Sequence, residues 1–269
     1  MTIPEQNVNA RSLAWRLFRD AADDDYLISR WCAFVNLNYQ HYWHAQQSIE
    51  KYLKCHLILN DLAVKSFGHD ISKLWDRAVL TCGDLLPLIL CPPRYVPGKT
   101  LGMRSRFEPA EKFIARINQA GSPDQRYRYF SNTTDNYDLH KLDELVFFLR
   151  RICFPLNMPY GQTNKSFREI LLSDRQLQPH QKFSFESEVR KNGFEERNKY
   201  LRRRNFAFFE DAALEEGKVS SSWSMTNSPI GMAIKGDGEK KEALNWFLSK
   251  AYFAKDARME LQRLLEETK

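Results

Sequence analysis

Long apolar runs are missing from this 269-residue chain. The greasiest stretch, Leu85 to Cys91, is short and has Pro87 inside it, whereas a bilayer span needs ~18–20 apolar residues. Mean hydropathy is −0.56, and no membrane contact is expected. Met1 to Ser12 lacks the basic-then-apolar order of a secretory leader, so a cytoplasmic setting is expected. Glycine and proline are scarce at 11 each, which disfavours turn-dense β-sandwiches and collagen-like repeats. The cysteines, Cys32, Cys55, Cys82, Cys91 and Cys153, are odd in number, widely spaced and without a Cys-x-x-Cys pair. That argues against a disulfide framework and a thiolate zinc site. Four of them lie among apolar residues, as reduced core thiols do. There is no Gly-x-x-x-x-Gly-Lys-Ser/Thr, no Gly-x-Gly-x-x-Gly after a strand and no Gly-x-Ser-x-Gly. P-loop hydrolysis, Rossmann cofactors and α/β-hydrolase chemistry therefore have no support. Gly236-Asp237-Gly238 reads as a turn, and no cofactor or metal is expected.

What is present describes a soluble globular protein. Hydrophobic residues make up 43% and charged residues 28%, enough apolar side chain for one large domain or one domain with an appendage. Net charge is +6. The excess is local, in Arg94 to Arg128 and in Lys199 to Arg204. A basic run is commonly a solvated face. Read functionally, it fits an anionic partner.

Periodicity separates the chain into two regions. From residue 9 to 155 the pattern is helical. Arg11 to Asn36 reads as a long helix with a break, its apolar set including Leu13, Leu17, Leu27, Trp31 and Phe34. In Tyr39 to Asn60, residues Tyr42, Ala45, Ile49, Leu53, His56 and Leu57 recur at three and four, one face of a helix. Asp70 is the expected N-cap of a third helix, with Ile71, Leu74, Trp75, Ala78, Val79 and Cys82 as its stripe. Glu108 to Ala120 reads as a short helix stopped at Gly121. A further helix carries Leu142, Leu145, Val146, Leu149 and Ile152 and ends by Pro155. Stripes this wide must be buried against one another, so the expected fold is all-α: an up-down helical bundle over 9–155. Residues 156–269 are expected as a less regular, mostly helical extension of unknown role, with an amphipathic helix over Glu239 to Glu267. The extension is rich in aromatics (Phe206, Phe208, Phe209, Trp223, Trp246, Phe247), which suit a core or an interface.

Three segments stand in order: Ala22-Asp-Asp-Asp-Tyr-Leu-Ile-Ser-Arg30, His44-Ala-Gln-Gln-Ser-Ile-Glu-Lys-Tyr-Leu-Lys54 and Gly68-His-Asp-Ile-Ser-Lys-Leu74. Together they resemble the bacterial HEPN domain (higher eukaryotes and prokaryotes nucleotide-binding) over residues 10–155. The resemblance implies a HEPN-like helical bundle, frequently a homodimer, in toxin–antitoxin, antiphage-defence or RNA-processing systems. Many members are metal-independent ribonucleases with an Arg and a His four to six residues apart in a late helix. Such chemistry needs an acid–base group tuned near neutrality and a cation for the charged phosphorane. Here the late helix has His140, with Thr133, Thr134 and Asp135 where the arginine belongs. Arg175…His180 is the one match to that spacing, and Pro179 breaks it.

The catalytic candidates are therefore His41, His44, His69 and His140. His41 and His44 share one helical face at a spacing that can hold a metal, although no companion carboxylate follows. His69 is either a structural residue at the start of the third helix or a residue facing a groove lined by Glu50 and Lys54. Glu50, Lys51 and Lys54 lie within reach of Asp23–Asp25 if the first two helices are antiparallel, where ion pairs would fix register. Arg94, Arg104, Arg106, Arg126 and Arg128, interleaved with Tyr95, Phe107, Tyr127 and Tyr129, can supply phosphate contacts and stacking. The expected activity is binding of RNA or a nucleotide. The alternative is a non-catalytic module that dimerises and docks a partner protein.

Overall fold

Small and apolar residues recur through 8–34 at helical spacing, and the stretch coils into one rod of three parts. In a computed structural model, which describes residues 8–34, 37–91, 107–121, 139–160, 164–173 and 238–250 and isolated turns at 258–259, 262–263 and 265–266, α1 (Val8–Ala14) widens into one stretch of π-helix (Trp15–Arg19). The rod then continues as α2 (Asp20–Phe34). The Asp20 N–H reaches back to the Trp15 carbonyl, the i to i−5 bond of a π-turn. The rod is thus widened here and not broken, where the sequence suggested a break. Trp31, expected in the apolar stripe, is 42% exposed.

α3 (Asn38–Leu59) returns antiparallel to α2. Partners fall in reverse order along the rod: Ser29 of α2 with His41, Ala22 of α2 with Ser48, and Ala14 of α1 with Cys55. Of the 22 residues of α3, 15 are buried. A helix enclosed on nearly every side is the central rod of a bundle, not a surface helix. It closes at Asn60 with Asp61 in the left-handed region (φ 63°). Leu62 N–H reaches the Leu57 carbonyl and Asp61 N–H reaches that of Ile58, the paired bonds that satisfy a helix's last carbonyls.

α4 (Ile71–Cys82) begins where the sequence places it. The Asp70 carboxylate caps it, accepting from the Ser72 and Lys73 backbone N–H groups. Its buried stripe is Ile71, Leu74, Trp75, Ala78 and Cys82, while Val79 is 41% exposed. A two-residue ribbon, β1 (Ile89–Leu90) against β2 (Glu108–Pro109), leads into α5 (Ala110–Ala120). α6 (Leu139–Arg151) and α7 (Phe167–Ser173) follow. The core is one continuous cluster running through Tyr52, Leu53, Phe113, Ile114, Leu145 and Leu149. α8 (Gly238–Lys250) adds Leu244, Trp246 and Phe247 to that same cluster. Val64 N–H donates to the Lys250 carbonyl at 3.0 Å, and the Phe18 and Phe247 rings lie 5.6 Å apart. No described helix is long and apolar enough to cross a membrane. The described chain is thus predominantly helical.

Candidate functional site

α3 carries polar side chains on two opposed faces, and each face meets a different part of the molecule. At 100° per residue, His41, His44, Ser48 and Lys51 share the side turned to α2, whereas Gln46, Glu50 and Lys54 share the other. On the α2 side, Lys51 and His44 both engage Asp25. Burial raises the Asp25 carboxyl, but the bonds from His44 and Lys51 outweigh it and hold the group below its ordinary value. Asp23 pairs with the Arg150 guanidinium at 3.0 Å and accepts from the Tyr52 hydroxyl. The Tyr52 hydroxyl is pushed up by burial first and by Asp23 next. The antiparallel expectation thus holds for Lys51. It fails for Glu50 and Lys54, which the helical twist carries to the far side.

At the end of the bundle, His41 and Ser29 bond reciprocally. Ser29 Oγ donates to the His41 carbonyl at 3.0 Å, and His41 Nδ1 lies 3.1 Å from the Ser29 carbonyl. Arg30 beside it forks onto Asp143 through Nε at 2.9 Å and Nη2 at 3.3 Å, with Tyr26 donating to the same carboxylate. Burial raises the Asp143 carboxyl, with Arg30 and Tyr26 opposing. His140 lies one helical turn before Asp143 and is buried. His41 and His44 do not share a metal site: one is turned to Ser29 and the other to Asp25. No group of three or more His, Cys, Asp or Glu among the described residues is placed to hold a metal. His56 and Cys82 are also in contact, at 3.3 Å. They are no nucleophilic pair. Burial depresses His56 to about 4 and pushes the Cys82 thiol up to about 12, so neither thiolate nor imidazolium forms near neutrality.

The far face of α3 holds a grouping that joins a buried carboxylate to an exposed histidine. Glu50, with its side chain 5% exposed, accepts from His69 Nδ1 at 3.0 Å, and His69 itself is 75% exposed. Lys54 donates to Glu50 at 2.6 Å and to the Gly68 carbonyl at 2.7 Å. Gln46 reaches the His69 carbonyl. Asn118 of α5 bonds Asp70 Oδ1 and takes the Ile71 N–H. The turn is therefore pinned at both carbonyls and at the imidazole, and Gly68 supplies the left-handed backbone it needs (φ 56°). Glu50 fixes the proton on Nδ1 and leaves Nε2 to accept a proton or contact an incoming group.

Three of the sequence candidates thus meet in one place, Glu50, Lys54 and His69. Lys51 and His44 meet in another, and His41 and His140 belong to the buried end. Gln46, Asn118, Arg30 and Asp143 were not expected as participants. Gln46 and Arg30 had a signal, since both lie in the segments that carry the resemblance. Arg94, Arg104, Arg106, Arg126 and Arg128 lie outside the described residues, as do Arg175, His180, Trp223 and the Lys199–Arg204 run. Comparison with known proteins finds no match among family models, curated proteins or solved structures.

Proposed function

We propose that this chain is a HEPN-like helical protein that binds RNA or a nucleotide. The observation that carries the reading is the meeting of two of the three segments that resemble that family. Glu50 and Lys54 of the Q-S-I-E-K-Y-L-K helix clamp Gly68 and His69 of the Gly-His-Asp turn. Two motifs separated in sequence would have no common cause for their residue types unless they form one local unit. The helical architecture and the basic stretch between residues 94 and 128 agree with it. Among the described residues no Arg and His stand four to six apart, so the reading is of binding, with cleavage by that pair not part of it.

The test is fluorescence anisotropy of a labelled single-stranded RNA between about 50 and 200 mM salt. Binding that weakens linearly on a log–log plot is expected, since lysine and arginine contacts release counterions. No binding at the lowest salt overturns the reading. A second reading, a dimerising module that docks a partner protein, draws on Leu88, Ile89 and Phe107. These are 83%, 52% and 66% exposed on and beside the β-ribbon. A monomer by light scattering with no bound partner counts against it.

A further inference from the structure

His69 has the setting of a nucleophile. Its Nδ1 faces both Glu50 oxygens, at 3.0 and 3.1 Å. A carboxylate only accepts, so the proton is on Nδ1 and the lone pair is on Nε2. The imidazole is 75% exposed while the Glu50 side chain is 5% exposed, so the outer edge of the ring meets solvent and the inner edge is anchored. Lys54 holds Glu50 at 2.6 Å and the Gly68 carbonyl at 2.7 Å, and Gln46 holds the His69 carbonyl. The ring is thus fixed before any reagent arrives. Among the described residues no hydroxyl or thiol bonds Nε2. There is no partner for it to deprotonate as in a serine or cysteine hydrolase, and the imidazole itself is left to attack. The neighbouring carboxylate, Asp70, is engaged by the Ser72 and Lys73 N–H groups and by the Lys73 ammonium.

We propose that His69 Nε2 is a phosphoryl acceptor, modified by a phosphoramidate donor, with Glu50 as the residue that positions the ring. The Nε2 lone pair forms a bond to phosphorus as the donor's P–N bond breaks. The bonding pair leaves with the donor nitrogen, already protonated, as a neutral amine. Nδ1 keeps its proton, and the positive charge that appears on the ring lies against the Glu50 carboxylate, which stabilises it where it develops. One P–N bond replaces another, so the transfer needs no other source of free energy. A phosphoryl group fits this isolated acceptor better than an acyl group, because acyl-imidazoles are lost quickly to water and phosphoryl-imidazoles persist. His69 stands immediately before the Asp70 cap, at the N-terminus of the 12-residue α4, the helix end that favours added negative charge. The other described histidines are placed worse: His41, His56 and His140 are buried, and the His44 side chain is 23% exposed against Asp25. The proposal does not depend on RNA binding.

Potassium phosphoramidate and the full chain test this, with the reaction followed by intact mass and the site located by peptide mass spectrometry under alkaline conditions. One phosphoryl group is expected, on His69, stable to alkali and lost in acid. Its rate should exceed that of N-acetylhistidine under the same conditions by about tenfold. His69→Gln should abolish the modification. Glu50→Gln should bring the His69 rate down to that of N-acetylhistidine, with thermal unfolding by circular dichroism as the check on folding. The comparison with N-acetylhistidine is made on the parent protein, so it decides the matter even if Glu50→Gln does not fold. No modification of His69, a rate no greater than that of N-acetylhistidine (an ordinary exposed imidazole only), or equal labelling of His44 and His69 overturns the proposal.

Discussion

His56 is buried in the centre of the bundle, where its Nδ1 faces the Ile152 carbonyl at 3.0 Å and its Nε2 faces the Thr81 hydroxyl at 2.9 Å. Burial holds it at about 4. Between pH 4 and 6.5 the unfolded chain binds a proton there that the folded one does not, so stability is lost as pH falls through that window, by up to about 3 kcal/mol. Glu144 works in the opposite direction. Burial pushes its carboxyl up to about 7 from 4.5, against a 2.7 Å bond from the Cys91 N–H. The folded state holds that proton while the unfolded state has lost it, so stability falls as pH rises from 4.5 to 7. Partial exposure limits the effect to about 1–2 kcal/mol. The two slopes oppose each other over most of their range. Glu144→Gln should therefore expose the His56 slope. Urea unfolding at a series of pH values should show the variant gaining stability from pH 4 to 6.5 more steeply than the parent, and lacking the parent's decline toward pH 7. Asp143 is a third case. Removing it leaves the Arg30 guanidinium buried and uncompensated, and Asp143→Ala should cost about 3–5 kcal/mol by urea unfolding. A cost under about 1 kcal/mol would mean that water reaches Arg30.

At the scale of an element, α3 decides the layout. Its polar residues alternate between two faces, so it carries the Lys51–Asp25 pair to one neighbour and the Glu50–His69–Lys54 clamp to another. α5 is seated against it at Gly121. A Cβ there would stand 2.6 Å from Gln46 Cβ and 2.9 Å from the Tyr42 carbonyl oxygen. The backbone of a central helix cannot give way cheaply, and Gly121→Ala should destabilise by about 1–3 kcal/mol, read from the urea midpoint. Because Gln46 also holds the His69 carbonyl, the same variant should loosen the Gly-His-Asp turn, which faster hydrogen exchange at residues 68–71 would report. The Asp70 cap is a more local matter: Asp70→Ala should cost about 1 kcal/mol.

For the whole molecule, α8 is the informative piece. It lies far along the chain from the bundle, yet Phe247 is 1% exposed and packs on Phe18, and Lys250 pairs with Asp61 at 2.8 Å. A helix that shares a core melts with it. Phe247→Ala should lower the stability of the whole molecule by about 3–5 kcal/mol and shift one common transition, followed by circular dichroism and by tryptophan fluorescence. Two transitions, with only one displaced, would make α8 an independent unit.

The helical period of residues 39–60, the Asp70 cap and the stop at Gly121 were legible in the chain itself. Each depends on neighbours a few residues apart, where spacing alone decides which side chains share a face. The clamp was legible in part. The residue types at Glu50, Lys54 and His69 marked it, and one reading of the sequence set His69 against a groove lined by Glu50 and Lys54, while another drew the same two residues toward Asp23–Asp25. What settled their direction was rotation about the α3 axis against α2, α4 and α5, which no local pattern encodes. The Arg30–Asp143 pair and the seating of α8 join residues brought together only when the core closes. Local sequence fixes each helix because its hydrogen bonds are local. Which polar groups meet is set by how the helices bury their apolar faces together, and that only the tertiary structure decides.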